Sequence, residues 1–191
     1  KKYKFWDPNL YIGPKIKNKK LGIIGLGRIG ARVAEIAYGG MGMEVVYYDI
    51  RRDKSFEKKY KAKFCTLTKL LKESDIVSLH VPLLKSTKHL ISAKELKMMK
   101  KTSYLINTSR GPVIDEKALV SALQKKVIAG AGLDVYEFEP RLTPGLTKLR
   151  NVVLTPHIAS ASLEARQDMS RIAAKNIMAV LKGKKPITPA R

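Results

Sequence analysis

The sequence predicts an α/β fold, a doubly wound parallel sheet with helices on both faces. Three observations carry this. Short apolar runs alternate with helix-period patterns along the chain, which calls for parallel strands joined by right-handed crossovers. The first apolar run ends in a glycine turn, Gly25, Gly27 and Gly30, and a helix pattern follows at once. The second run, Glu44-Val45-Val46-Tyr47-Tyr48, ends in an acid, Asp49, at the spacing of about 20 residues beyond a G-x-G-x-x-G turn where an acid meets a ribose.

Each glycine of that turn has a physical role. Gly25 permits the sharp turn, Gly27 lets a pyrophosphate approach the backbone, and Gly30 lets helix and strand pack closely. The helix that follows aims its free N–H groups and its positive end at such a phosphate. Strand, glycine turn, helix, strand and acid together read as a Rossmann-type nucleotide-binding domain.

The elements follow in order. Residues 1–18 are basic and aromatic, are broken by Pro8, Gly13 and Pro14, and read as a linker. Residues 19–191 read as the domain. The first strand is expected at 20–25. A helix at 28–38 follows, with Ile29, Val33, Ile36 and Ala37 inward and Gly39-Gly40 ending it. The second strand is expected at 44–48, and the charged stretch 51–63 reads as surface loop with a short irregular element. A short helix at 66–73 buries Leu67, Leu70 and Leu71, and a strand at 75–79 leads into His80-Val81-Pro82. His89 reads as a residue at a helix entrance. Ser92 and Glu95 form a capping box, and Leu96, Met98 and Met99 pack that helix down. A strand at 104–106 precedes a helix opened by Asp115, with Ala118, Leu119, Ala122 and Leu123 on its face. Strands at 127–133 and 152–154 flank a proline-containing loop at 136–150. A long helix at 160–182 carries Leu163, Met169, Ile172, Ala173, Ile177, Val180 and Leu181 broadly on one side and closes at Gly183.

Composition bounds the rest. The 191 residues suffice for one large core, and 45% hydrophobic content is ordinary. No apolar run approaches the ~20 residues of a membrane span, and no signal peptide is visible. Cys65 is the only cysteine, so no internal disulfide forms, and a cytoplasmic setting is expected. The net charge of +22 is spread over every segment, without zinc-finger spacing or an aromatic-basic motif. That argues against nucleic acid as the partner and for a soluble surface that attracts anions. The chain starts at Lys1 and runs at once to Trp6, which suggests a piece of a longer protein.

In an open α/β sheet, ligands bind beyond the carboxyl ends of the strands. The residues there are Gly25–Gly30, Asp49, His80-Val81-Pro82, Asn107-Thr108-Ser109-Arg110-Gly111, Asp134 and Thr155-Pro156-His157. An arginine grips a carboxylate with two parallel hydrogen bonds. A histidine moves protons near neutral pH. With a nicotinamide nearby, these are the parts for reducing a 2-oxo acid.

The motifs, from Leu21-Gly22-Ile23-Ile24-Gly25-Leu26-Gly27-Arg28-Ile29-Gly30 through His80-Val81-Pro82-Leu83, Ile106-Asn107-Thr108-Ser109-Arg110-Gly111 and Gly132-Leu133-Asp134-Val135-Tyr136-Glu137-Phe138-Glu139-Pro140 to Asn151-Val152-Val153-Leu154-Thr155-Pro156-His157-Ile158-Ala159-Ser160, resemble one family in order. It is the nucleotide-binding domain of the D-isomer-specific 2-hydroxyacid dehydrogenases, with the glyoxylate/hydroxypyruvate reductase branch nearest. The resemblance runs from Trp6 to about Pro189.

The resemblance implies roles. Arg110 would bind the substrate carboxylate and polarise the carbonyl. His157 would protonate the carbonyl oxygen, and Glu139, the acid directly before Pro140, would pair with His157. Arg28 and Ile29 would meet the pyrophosphate within the cofactor-binding turn of Gly25, Gly27 and Gly30, Asp49 would meet the ribose, and Val81 and Pro82 the adenosine side. Thr108, Ser109, Arg110, Asp134, His157 and Ser160 would line the nicotinamide end. No metal is implied. Asp49 favours NAD, since a carboxylate repels a 2′-phosphate, while Arg51 and Arg52 leave NADP open. The implied partners are a small anionic 2-oxo or 2-hydroxy acid and a second copy in a homodimer. The family's substrate-closing domain has no counterpart in the chain. A non-catalytic, NAD-sensing corepressor-like role is the alternative, and the intact Arg110, Glu139 and His157 argue against it.

Overall fold

The strands β1 (Lys20–Ile24), β2 (Glu44–Tyr48), β3 (Lys63–Phe64), β4 (Ile76–Leu79), β5 (Tyr104–Asn107), β6 (Gly130–Leu133) and β7 (Val152–Leu154) pair in the order β3-β2-β1-β4-β5-β6-β7. Every pairing is parallel. The chain winds outward from β1 to β3, then returns to place β4 on the other side of β1. The direction of winding therefore reverses between β1 and β4, where open sheets form a ligand crevice. These are features of a computed structural model that describes residues 12–189. The expected linker lies outside the described residues for its first eleven positions, as does Trp6. The chain divides after Leu154 into two compact units, and the sheet belongs to the first.

The helices are α1 (Arg28–Met41), α2 (Lys54–Tyr60), α3 (Leu67–Glu73), α4 (Ala93–Met98), α5 (Glu116–Gln124) and α6 (Leu163–Leu181). Side chains alternate across a strand, so β1 feeds two cores. Leu21 and Ile23 pack with Ala34, Ala37, Val45, Tyr47 and Phe56. Ile24 packs with Leu70, Leu71, Val77, Leu79, Leu105, Leu119 and Leu123. Burying each such large side chain contributes about 1.5–3 kcal/mol.

Several expectations need correction. α1 does not stop at Gly39-Gly40 but runs to Met41, and Gly42, at φ 63°, ends it by donating its N–H to the Ala37 carbonyl. An interior glycine costs a helix only about 1 kcal/mol, whereas the left-handed turn that stops α1 is one that glycine adopts without strain. The inward face of α1 is Gly30, Ala34 and Ala37. Ile29 and Ile36 are exposed at 68% and 45%, because the helix lies so close to β1 that small residues fill the contact.

The stretch 51–63 is not loop. Asp53 caps α2 by accepting from the Phe56 N–H, and β3 extends the sheet beside β2. Phe56 reaches the core and stacks on Tyr60 at 4.6 Å between centroids. Charged neighbours hide this aromatic pair from any reading of hydrophobic period. The strand expected at 127–133 begins at Gly130, because the N–H of Val127 still bonds back to Ala122 at the end of α5. In the second unit, α6 begins at Leu163 with Ser162 as its cap, and none of its residues is buried. Its apolar side chains, including Leu163, Ile172, Ile177 and Leu181, are exposed.

Phe56→Ala tests the unexpected α2. Urea denaturation is expected to show a loss of about 3 kcal/mol, the usual cost of emptying a buried phenyl site. A loss near zero would mean that α2 does not share the core.

Candidate functional site

The crevice between β1 and β4 is walled by two backbone segments. Gly25 leaves β1 at φ 96°. A Cβ there would lie 2.8 Å from the carbonyl carbon of His80 and 2.9 Å from Val81 Cγ1. A Cβ on Gly30 would collide with the Gly25 carbonyl oxygen, so α1 rests directly on the turn. Gly27 differs, because a Cβ there would meet nothing within 4 Å. Gly27 is the N-cap of α1, with no side-chain cap and no acid in the first turn. The helix therefore presents free N–H groups and its positive end to open space, flanked by exposed Arg28 and Ile29. That chemistry fits a diphosphate.

Asp49 has a role that its spacing does not reveal. Its Oδ2 accepts from the Leu26 N–H at 2.6 Å and its Oδ1 from the Arg51 N–H at 3.0 Å. The carboxylate thus ties the end of β2 to the glycine turn. Each carboxylate oxygen has a second lone pair, so ribose hydroxyls can still be accepted. Arg52 makes two bonds to Glu57, at 2.8 and 2.7 Å, and lies over the Phe64 ring. Glu57 also accepts from the Tyr47 hydroxyl, and burial pushes that phenol up to about 12. Of the two arginines considered for a 2′-phosphate, Arg52 is committed to α2.

His80 sits 2.9 Å from the Ser78 hydroxyl through its Nε2. Burial pushes its pKa down to about 4, so it stays neutral beside the turn. Val81 follows, its Cγ1 beside Gly25, and then Pro82. Thr87 holds this segment, its hydroxyl donating to the Pro82 carbonyl at 2.6 Å.

Asn107 organises the loop after β5. Its Oδ1 accepts from the Ser109 N–H at 2.9 Å and the Ser109 hydroxyl at 2.8 Å, and its Nδ2 donates to the Arg110 carbonyl at 3.0 Å. Thr108 and Arg110 are thereby presented to solvent. Arg110 Nη1 donates to the Ser109 carbonyl at 2.6 Å, which leaves its other N–H donors for a ligand. After β6, Asp134 is buried, and its N–H bonds to the Asn107 carbonyl at 3.0 Å. Exposed Glu139 accepts from the Tyr136 N–H at 2.9 Å. The Arg110 and Glu139 loops touch, because a Cβ on Gly111 would overlap the Tyr136 carbonyl.

His157 and Ser160 belong to the second unit, on the segment leading to α6. Both are exposed, and His157 holds a left-handed backbone at φ 55°. Within the first unit, sequence reasoning missed a group beside the Arg110 and Glu139 loops, His89, Glu116, Glu137 and Thr143. His89 is no simple helix-entrance residue, since it lies at φ 52° and contacts Glu137. No local signal marks this group, because its members come from segments remote in sequence. Among the described residues, no cluster of three or more His, Cys, Asp or Glu could hold a metal ion. Nor is any helix there long and apolar enough to cross a membrane.

Three comparisons relate the chain to known proteins. Residues 1–159 match the family described as D-isomer specific 2-hydroxyacid dehydrogenase, NAD binding domain. A glyoxylate reductase of Thermofilum pendens is 53% identical over 184 residues, which is 95% of this chain and 54% of that protein. The chain thus spans about half the length of that relative. Among solved structures, the TT0316 protein of Thermus thermophilus superposes with a TM-score of 0.90 at 42% identity, over 99% of this chain and 59% of that one. The NAD complex of a D-isomer specific 2-hydroxyacid dehydrogenase from Lactobacillus delbrueckii gives 0.86 at 39% identity, over 98% and 60%.

The glycines make a paired test. Gly27→Ala should leave the melting temperature unchanged and weaken NADH binding by about tenfold or more, since the new methyl enters only the ligand's space. Gly30→Ala should destabilise the fold itself. Equal effects from both would remove the distinction.

His80 sets a pH dependence. Its folded pKa lies below the ordinary 6.5, so the unfolded chain takes the proton first as pH falls. The contribution is complete above pH 6.5 and is lost progressively down to about pH 4, amounting to about 3 kcal/mol. Denaturation at pH 7.5 and 4.5 should show that His80→Gln removes this part of the loss. Identical losses in both proteins would mean that the imidazole is not held neutral.

Proposed function

This chain belongs to the D-isomer specific 2-hydroxyacid dehydrogenase family and carries its NAD-binding domain, and from that premise we propose that the protein transfers a hydride between NAD(P)H and a small 2-oxo or 2-hydroxy acid, glyoxylate or hydroxypyruvate first among them. One observation carries the reading. The carboxyl rim of a single sheet bears both an uncapped helix start at Gly27 and an exposed arginine, Arg110, on a loop braced by Asn107. The first suits a diphosphate and the second suits a carboxylate.

In this reading Gly27, Arg28 and Ile29 meet the diphosphate, in a turn that Gly25 and Gly30 shape. Asp49 takes the ribose hydroxyls, and Val81 and Pro82 cover the adenosine. Thr108, Ser109, Asp134 and Ser160 line the nicotinamide end. The bound nicotinamide supplies the hydride. Arg110 grips the substrate carboxylate and draws electron density from the carbonyl, which lowers the barrier as charge develops on oxygen. His157 gives that oxygen its proton and removes it in the reverse direction. Glu139 steadies the charged imidazole. The Asp49 carboxylate and the capture of Arg52 by Glu57 support NAD over NADP, leaving Arg51 of the two arginines to favour a 2′-phosphate.

The protein works, in this proposal, as a homodimer in a reducing cytoplasm. Burial pushes the Cys65 thiol up, which suits an unreactive cysteine. A corepressor-like role is less favoured, because nothing in sensing requires Arg110, Glu139 and His157 together.

The test is turnover by the full-length protein with NADH and, separately, NADPH on glyoxylate and hydroxypyruvate. NADH is expected to be the better donor. His157→Gln is expected to lose about a hundredfold or more in kcat, as removal of an acid–base group does, with little change in NADH affinity. Full activity in that variant would sink the catalytic assignment, and no turnover by the parent would favour the sensing role.

A further inference from the structure

Beside the proposed site lies a polar network for which that function has no stated use. The His89 N–H donates to the Pro112 carbonyl at 2.8 Å, and its Nε2 lies 2.6 Å from Glu137 Oε1. The carboxylate accepts, so the imidazole carries its proton on Nε2. Glu137 Oε2 accepts from the Glu116 N–H at 3.1 Å. In return Glu116 Oε1 accepts from the Glu137 N–H at 2.7 Å, and its Oε2 from the Thr143 hydroxyl at 2.6 Å. All four carboxylate oxygens are used, and every bond crosses between segments remote in sequence.

The segments joined are the ones that matter. Residues 110–116 carry Arg110 and lead into α5. Residues 135–143 carry Glu139. Residues 80–89 continue from His80 and Val81, which meet Gly25. Gly111 lets the first two touch backbone to backbone, and His89 holds both at once.

The network is costly for a merely structural contact. Glu116 is 1% exposed, and a buried carboxylate is tolerated only when its oxygens are satisfied. His89 also sits at φ 52°, a region that non-glycine residues enter at a cost of order 1 kcal/mol and that is over-represented near functional sites. Apolar packing would join the loops at lower cost but would set their positions less closely, because it has no direction.

We propose that His89, Glu137, Glu116 and Thr143 form a positioning clamp that sets the Arg110 loop against the Glu139 loop for substrate reduction. The proposal rests on the dehydrogenase reading for its catalytic consequence, while the clamp itself is a statement about the two loops. His89 and Glu137 act through Arg110 and Glu139 and touch no reacting atom.

The experiment compares His89→Asn, Glu137→Gln and the double variant in the full-length protein. Asparagine tolerates the left-handed backbone but is too short to reach Glu137, so the side-chain bond is lost without added strain. Each single variant should keep its NADH affinity within about twofold. Its KM for the 2-oxo acid should rise and kcat/KM should fall by about tenfold to a hundredfold, the scale of a small misplacement. The double variant should be no worse than the poorer single one, because the two residues act as one unit. Amide hydrogen exchange provides a second measurement that needs no turnover, in which residues 110–116 and 136–143 should exchange at least about tenfold faster while β1 and β4 are unchanged. Unchanged exchange in those loops would overturn the clamp, even if the parent reduces no 2-oxo acid and the dehydrogenase reading fails. Loosened loops with kcat/KM within twofold of an active parent, or a loss matched by equal loss of NADH affinity, would overturn its positioning role. If Glu137→Gln does not fold, His89→Asn and Thr143→Val carry the same comparison.

Discussion

The contact on which this structure most depends is that of Gly30 with the carbonyl of Gly25. It sets α1 directly on the end of β1, with no side chain between them. Several things follow from that closeness. The inward face of α1 must be small, so Ala34 and Ala37 are buried while isoleucines face water. The amino end of α1 opens at Gly27 beside the reversal of winding between β1 and β4. The free N–H groups there concentrate positive potential where an anion can enter.

Charge is distributed in a consistent way around this frame. The chain has 38 basic and 16 acidic residues, and many of the acids serve the backbone. Asp49 holds the glycine turn, Asp53 and Asp115 cap helices, Asp75 accepts from the start of β1, and Glu116 and Glu137 join loops. Each gains a charge-assisted hydrogen bond to an N–H that would otherwise lack a partner. The cations that remain give the surface a field that draws anions, the class to which a dinucleotide and a 2-oxo acid belong. Arg52, a candidate for holding an additional phosphate, is instead drawn into α2 by Glu57.

Much of the fold was legible because the motif-bearing residues lie in short continuous runs. The glycine turn, the capping box at Ser92 and the Asn107-to-Gly111 loop are local structures, stabilised by neighbours within a few residues. Failures came where a single residue decides. Phe56, with Tyr60 beside it, anchors α2 within a charged stretch, and Gly42 rather than Gly39-Gly40 ends α1. The site was legible to the same degree. Arg110, Asp49 and the glycines stand at the rim as expected, whereas the bonds of Asp49 to Leu26 and Arg51 and the network around Glu137 gave no sign in the sequence.

The sequence by itself determined the fold class, the order of most strands and helices, and the residues that fall beyond strand ends. These depend on hydrophobic period and turn chemistry, which act over a few residues. Only the tertiary structure decided which face of α1 is buried, that stretch 51–63 extends the sheet, and that His89 joins the Arg110 and Glu139 loops. Those outcomes depend on which distant segments come within hydrogen-bond or van der Waals reach, and no local pattern encodes such a distance.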